Sequence, residues 1–84
     1  MQRFFLHLRN RMGFVPDEEG RELTDLGAAE ALAIGSIRSI LKDEIDAGRI
    51  NLNGRIDIAD SGGHVLAVVP FHKAVELTLR GDAA

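Results

Sequence analysis

The chain of 84 residues has no cysteine, so no disulfide bond holds its fold together and nothing ties it to an oxidising compartment. It also has no apolar run that approaches the ~18 residues of a membrane-spanning helix. Residues 1–13 contain an apolar patch that is too short, and too charged, for a secretory signal peptide. These absences predict a cytoplasmic protein that does not enter a membrane.

Excess positive charge is missing as well. Ten basic residues stand against 13 acidic ones, which gives a formal net charge of −3. Basic surface drives binding to nucleic acid by displacing counterions from phosphates, so we do not expect nucleic acid as a general partner. However, Arg3, Arg9 and Arg11 lie in residues 1–16 without an acid, whereas residues 17–30 are strongly acidic. We expect the two segments to lie side by side and neutralise each other; weak nucleic-acid binding through the three arginines is the alternative.

Motifs of catalysis and cofactor binding are absent from the sequence. No serine stands in a Gly-x-Ser-x-Gly elbow, and the glycines form neither a phosphate loop nor a dinucleotide fingerprint. The histidines, His7, His64 and His72, are not at the spacings that gather two metal ligands on one strand or helix. We therefore predict no enzyme, no cofactor and no metal. The alternative is an enzyme or metal-dependent protein whose site is built around His7, with His64 as a neighbour.

The chain is long enough for one hydrophobic core and too short for two. We expect a single domain over residues 1–84, with its core in residues 3–79 and a frayed tail at residues 80–84. A domain of this size buries only about 60% of the surface of its unfolded chain, so contact with a further molecule would stabilise it.

The first segment of the chain has the periodicity of a strand. In residues 3–9, Phe4, Leu6 and Leu8 recur at every second position, which predicts one fully apolar face. A turn and a short extended piece follow, and Pro16 confines this piece to a sheet edge or a strand end.

The middle of the chain predicts one long helix. Thr24 or Asp25 is suited to the N-cap, and the helix should run to about Ala47, with Gly48 in the left-handed position that ends many helices. Apolar residues recur at helical spacing, and we expect four of them to pack on the sheet: Ile34, Ile37, Leu41 and Ile45.

The last part of the chain predicts a hairpin. Residues 55–60 alternate like a half-buried strand, residues 60–63 are a glycine-rich turn, and residues 64–69 are apolar on both faces. We expect the latter to be the inner strand of the sheet. Residues 71–79 fit a short helix or turn better than a strand. The fold class is therefore α+β: a small antiparallel sheet packed on one long helix in the order β-β-α-β-β, with a short C-terminal helix or turn.

Four segments resemble a family of short bacterial proteins of uncharacterised function. They read RFFLHLRN at residues 3–10, DEEGREL at 17–23, GRIDIAD at 54–60 and VVPF at 68–71. The chain departs from that pattern at Asn10, where an acidic residue is usual, and at Gly27, where the helix usually has a better helix former. The resemblance implies a fold that spans nearly the whole chain and carries no activity over to it.

One side of the predicted helix has the composition of a contact surface. Small residues surround a leucine that projects away from the apolar face, and they would let a second backbone approach closely: Ala28, Leu32, Gly35, Ser36 and Ser39. Pairing along the N-terminal strand or the Pro16 edge is the alternative interface. We expect a small non-enzymatic binding or regulatory module that acts through protein contact or self-association, as a homodimer or with another protein.

Overall fold

The computed structural model describes residues 1–78, and the C-terminal tail predicted to fray lies outside them. It is an α+β fold with one antiparallel sheet of five strands and one long helix, followed by a short 3₁₀ turn, so the predicted fold class is confirmed. The elements are β1 (Gln2–Asn10), β2 (Gly13–Val15), β3 (Arg21–Leu23), α1 (Leu26–Asp46), β4 (Arg55–Ala59), β5 (Val65–Pro70) and the 3₁₀ turn (Phe71–Ala74).

Strand β1 lies in the interior of the sheet, and the strand order is β2-β1-β4-β5. The short strand β3 pairs with the N-terminal end of β1, and β2 pairs with its C-terminal end, on the side away from β4. The inner strand of the C-terminal hairpin is β4, so the prediction for residues 64–69 is wrong. Residues 64–69 do have apolar side chains on both faces, but β5 is an edge strand. Its Val65, Leu66 and Val68 side chains are exposed.

The core lies between α1 and one face of the sheet. The prediction for β1 is confirmed, because Phe4 is buried and Leu6 and Leu8 pack against the same core. The helix contributes a stripe at every fourth position, and the sheet and the 3₁₀ turn contribute the large residues opposite it: Ala29, Ala33, Ile37, Leu41, Ile56, Ile58, Val69 and Phe71.

The predicted core position of Ile45 is wrong, since 59% of its surface is exposed. Each step of four residues rotates the side chain by about 40° around the helix, so the stripe that begins at Ala29 has turned by about 160° at Ile45. Ile37 and Leu41 are buried and Ile34 is half-buried against the core, as predicted. The side chain of Ile45 therefore projects away from the sheet.

The predicted ends of the helix and the hairpin turn are confirmed. Asp25 is the N-cap, and its carboxylate accepts a hydrogen bond of 2.8 Å from the amide of Ala28. Ala47 is the C-cap, and Gly48 has a φ of +86°, which favours glycine. In the turn between β4 and β5, Asp60 accepts hydrogen bonds from two backbone amides.

Replacing Ile37 with Ala tests the core. Its side chain is fully buried, so the substitution should lower the free energy of unfolding by roughly 2–5 kcal/mol, enough to unfold a domain of marginal stability. Ile45→Ala removes the same atoms from an exposed position of the same helix and is the control, with an expected loss below about 1 kcal/mol. Equal melting temperatures for the two variants would place Ile37 outside the core.

Candidate functional site

The face of the sheet opposite α1 carries the polar and aromatic side chains of β1. Phe5, His7 and Arg9 alternate with the core residues, so they lie on this outer face. The register places His7 opposite Asp57 and Arg9 opposite Arg55 across the β1–β4 pairing. Since the only helix of residues 1–78 covers the other face, the outer face meets solvent.

Two arginines converge on one buried carboxylate of the outer face. Nε of Arg9 lies 3.1 Å from Oδ2 of Asp57, and Nε of Arg55 lies 3.0 Å from Oδ1. Asp57 is only 7% exposed, whereas both arginines remain about half exposed. Both carboxylate oxygens are thus occupied, and burial of the charge is compensated by two charge-assisted hydrogen bonds.

The ring of Phe14 contacts Arg9 on the side of β2. Phe14 of β2 is the cross-strand partner of Arg9, and the guanidinium carbon lies 4.2 Å from the centre of its ring. His7 lies 5.7 Å from Phe14 and 6.4 Å from Phe5, measured between ring centres. The cation–π contact and the ion pair together restrict the rotation of the Arg9 side chain.

A depression of about 480 Å³ opens between these arginines. Its lining comes from the end of β1, the start of β2 and the start of β4: Arg9, Asn10, Gly13, Phe14, Asn53 and Arg55. The lining contains two guanidinium groups, two carboxamides and one aromatic ring, and no carboxylate. Guanidinium groups are donors only, so the depression suits an anionic ligand.

Asp17 has a structural role that the sequence reasoning missed. The strands β2 and β3 both pair with β1, but they leave a gap between them. In this gap, Oδ2 of Asp17 accepts a hydrogen bond of 3.1 Å from the amide of Leu6, and the Asp17 amide donates to Nδ1 of His7 at 3.0 Å. Its other oxygen accepts from the amides of Glu19 and Gly20. One side chain therefore replaces the missing part of the β ladder.

These contacts change the acidity of Asp17. Burial raises the pKa of its carboxyl. Hydrogen bonds from the amides of Gly20 and Leu6 lower it, the Glu19 amide and the His7 charge act in the same direction, and the net pKa lies below its ordinary value. Asp17 is thus a half-buried carboxylate bound by the backbone, unlike its exposed neighbours Glu18 and Glu19.

Gly20 is required at the end of the same loop. It has a φ of +71°, and an added Cβ would lie 2.9 Å from the carbonyl oxygen of Phe4 and 2.9 Å from the ring of Phe5. The loop can lie flat against β1 only without a side chain here. Asp17 and Gly20 together explain why an acidic residue and a glycine stand three residues apart in this segment.

The histidines do not come together. His7 lies half-buried on β1, whereas His64 precedes β5, which does not neighbour β1, so the structure does not bring together the two histidines of the alternative hypothesis. Nδ1 of His64 lies 3.3 Å from Asp60, and His72 is exposed in the 3₁₀ turn. Over residues 1–78, no group of three or more His, Asp or Glu side chains is arranged to hold a metal ion.

The three N-terminal arginines also separate. Arg3 donates to Glu22 at 3.1 Å and to the carbonyl of Glu19 at 2.7 Å, which confirms for this residue the expected pairing with the acidic segment. Arg9 belongs to the depression, and Arg11 lies in the turn after β1.

The predicted contact surface on α1 is partly covered. Leu32 and Ser36 line a groove of about 310 Å³ together with Leu6 and the loop at residues 17–21, and Leu32 is half-buried there. Gly35 and Ser39 are exposed and Ala28 is half-buried. Contact with a partner through this surface stays a prediction.

The edge of β5 exposes apolar side chains and backbone groups. Within residues 1–78, β5 pairs only with β4. The amide of Phe71 donates to the carbonyl of Gly54, and hydrogen-bonded pairs alternate along an antiparallel ladder, so the amide of Val68 points away from β4. Pro70, which has no amide hydrogen, also falls at an outward position, as expected for an edge.

Comparison with known proteins identifies one family over residues 3–72, which is described as a domain of unknown function, DUF6894. Neither the curated proteins nor the solved structures contain a match to the chain. In the part of the chain that the structure describes, no helix combines the length and the apolar character needed to cross a membrane.

Replacing Asp17 with Asn tests the bridge between β2 and β3. Asn has one acceptor oxygen where the amides of Leu6 and Gly20 need two, so we expect the free energy of unfolding at pH 7 to fall by about 1–3 kcal/mol. Because the folded-state pKa of Asp17 is lowered, its contribution is complete above about pH 4 and is lost as the pH falls through the folded-state value. Denaturant unfolding at several pH values measures both effects.

Glu18→Gln is the matched control, since it removes the same charge from an exposed neighbour. Its stability should stay within about 0.5 kcal/mol of the wild type at every pH. If D17N and the control had the same pH profile, the carboxylate would not bridge the two strands.

Proposed function

The chain belongs to the domain of unknown function DUF6894, and we propose that it is a small non-enzymatic binding module that associates with a second copy of itself along the edge of β5. The observation that carries this proposal is the composition of that edge. Residues 65–70 contain no charged side chain, and Val65, Leu66 and Val68 are exposed. Natural edge strands normally carry charges, prolines or bulges that prevent pairing, and this one has a register shift near its start and Pro70 at its end, with no charge between them.

A second copy is the occupant that this edge fits best. Two identical edge strands can pair antiparallel about a two-fold axis, so each outward amide meets an outward carbonyl of the other copy. The chain as a whole is acidic, with a net charge of −3, and an uncharged strand is where two copies can approach without direct repulsion.

The other two candidate interfaces are weaker. On the helix, Leu32 already packs beside the loop at residues 17–21, which leaves less apolar area for a partner. At the opposite edge of the sheet, β2 and β3 have three residues each and are separated by the Asp17 loop, so they offer no continuous ladder. The edge of β5 is longer, with six residues, and the amide of Val68 is among its outward donors.

Binding is favoured over catalysis because the polar side chains of the outer face already have hydrogen-bond partners within the chain. Nδ1 of His7 accepts a hydrogen bond from a backbone amide, so that nitrogen is not free to accept a proton from a substrate. Both oxygens of Asp57 are held by arginines.

A cytoplasmic location is part of the same proposal and is supported by the absence of cysteine.

Sedimentation of the wild type at about 100 µM tests the association, because this concentration detects affinities near −5.5 kcal/mol. We expect a dimer in exchange with the monomer. Leu66→Lys places a charge on the edge, where the leucine is 41% exposed, and should shift the protein to the monomer without changing its circular dichroism spectrum.

Val15→Lys makes the same kind of change on exposed β2 and should leave the dimer intact. Leu32→Asp should also leave it intact, whereas a dimer built on the helix surface would dissociate. A wild type that sediments only as a monomer, or an L66K variant that still dimerises, would overturn the proposal.

A further inference from the structure

The depression beside β4 is a second feature of the outer face, and it is independent of the β5 edge. Arg9 and Arg55 contact Asp57 through Nε. An arginine that meets a carboxylate in this way still has the edge formed by its two Nη groups for another anion. The buried Asp57 thus fixes the position of two guanidinium groups whose side chains line the same depression.

The charge of the site suits a ligand with one negative charge. Two guanidinium groups and the Asp57 carboxylate sum to a local charge of +1, and the lining adds no acid. The whole chain carries −3, which disfavours a ligand of higher negative charge. A carboxylate carries a single charge at neutral pH and accepts two parallel hydrogen bonds from a guanidinium, whereas a phosphate monoester carries up to two charges.

The wall of the depression suits an apolar group next to that charge. Phe14 lines it, and about half of its surface is exposed even though Arg9 lies over its ring. The carboxamides of Asn10 and Asn53 lie in the lining as further hydrogen-bonding groups. A ligand with a carboxylate and an adjoining ring or hydrocarbon group would use all of these side chains.

We propose that this depression binds a carboxylate, held between Arg9 and Arg55, with the apolar part of the ligand against Phe14. The carboxylate belongs either to a small organic acid or to the C-terminus of a peptide, because both present the same chemistry. The Arg9–Asp57–Arg55 arrangement is thus a preorganised binding group, since the ligand does not have to order the two side chains.

Titration of the ¹⁵N-labelled full chain by NMR tests the proposal. Benzoate represents an organic acid and N-acetylphenylalanine a peptide C-terminus, and whichever binds more tightly identifies the source of the carboxylate. We expect saturable shifts of the Nε–H signals of Arg9 and Arg55 and of the Phe14 amide. Benzamide has the same shape without the charge and should cause no saturable shift at the same concentrations.

Variants separate the site from general charge effects. Arg55→Met should weaken the binding of the carboxylate at least tenfold. Arg55→Lys retains the pairing with Asp57 but loses the planar fork, so it should weaken binding several-fold. Because the charge pair is kept, this variant shows the loss of binding in a chain that still folds. Arg21→Met removes a charge from exposed β3 and should change the affinity less than twofold. The proposal would be wrong if neither acid caused saturable shifts, if benzamide bound equally well, or if inorganic phosphate bound more tightly than both acids.

Discussion

The arrangement of the molecule depends on the hydrogen bonding of β1 along both of its edges. One edge pairs with β4 over five residues, and the other is shared by β2 and β3, which cannot meet because the loop at residues 17–20 lies between them. The carboxylate of Asp17 supplies the missing acceptor for the amide of Leu6. Because a buried and unpaired amide would cost about as much as a lost hydrogen bond, this single side chain allows β1 to lie inside the sheet.

An inner β1 explains the chemistry of the outer face. With α1 on one side only, the side chains of β1 and β4 that face away from it lie in the middle of a sheet and are partly shielded from solvent without being in the core. An acidic residue at the centre of such a face must find cations, and Arg55, two residues away on β4, and Arg9, opposite Arg55 on β1, both lie within hydrogen-bond distance of Asp57. The paired charges thus follow from the position of the strands.

Local sequence patterns predict which face of a strand or helix is buried better than they predict which strands lie next to each other. The alternation of Phe4, Leu6 and Leu8, the cap at Asp25 and the end of the helix at Gly48 all follow from chemistry within a few residues. The order of the strands does not, because a run of apolar residues such as β5 is compatible with an inner or an edge position. The role of Asp17 was hidden for the same reason: its partner is the backbone of a residue eleven positions away.

The edge position of β5 follows from how β4 meets β1. Gly54 precedes β4 at a point where an added Cβ would lie 2.9 Å from the carbonyl oxygen of Arg9 and 2.7 Å from the ring of Phe71, so only glycine lets β4 begin here. With β4 beside β1, β5 is left outside. Two copies joined along β5 by a two-fold axis perpendicular to the sheet would present both Arg9–Arg55 depressions on the same face.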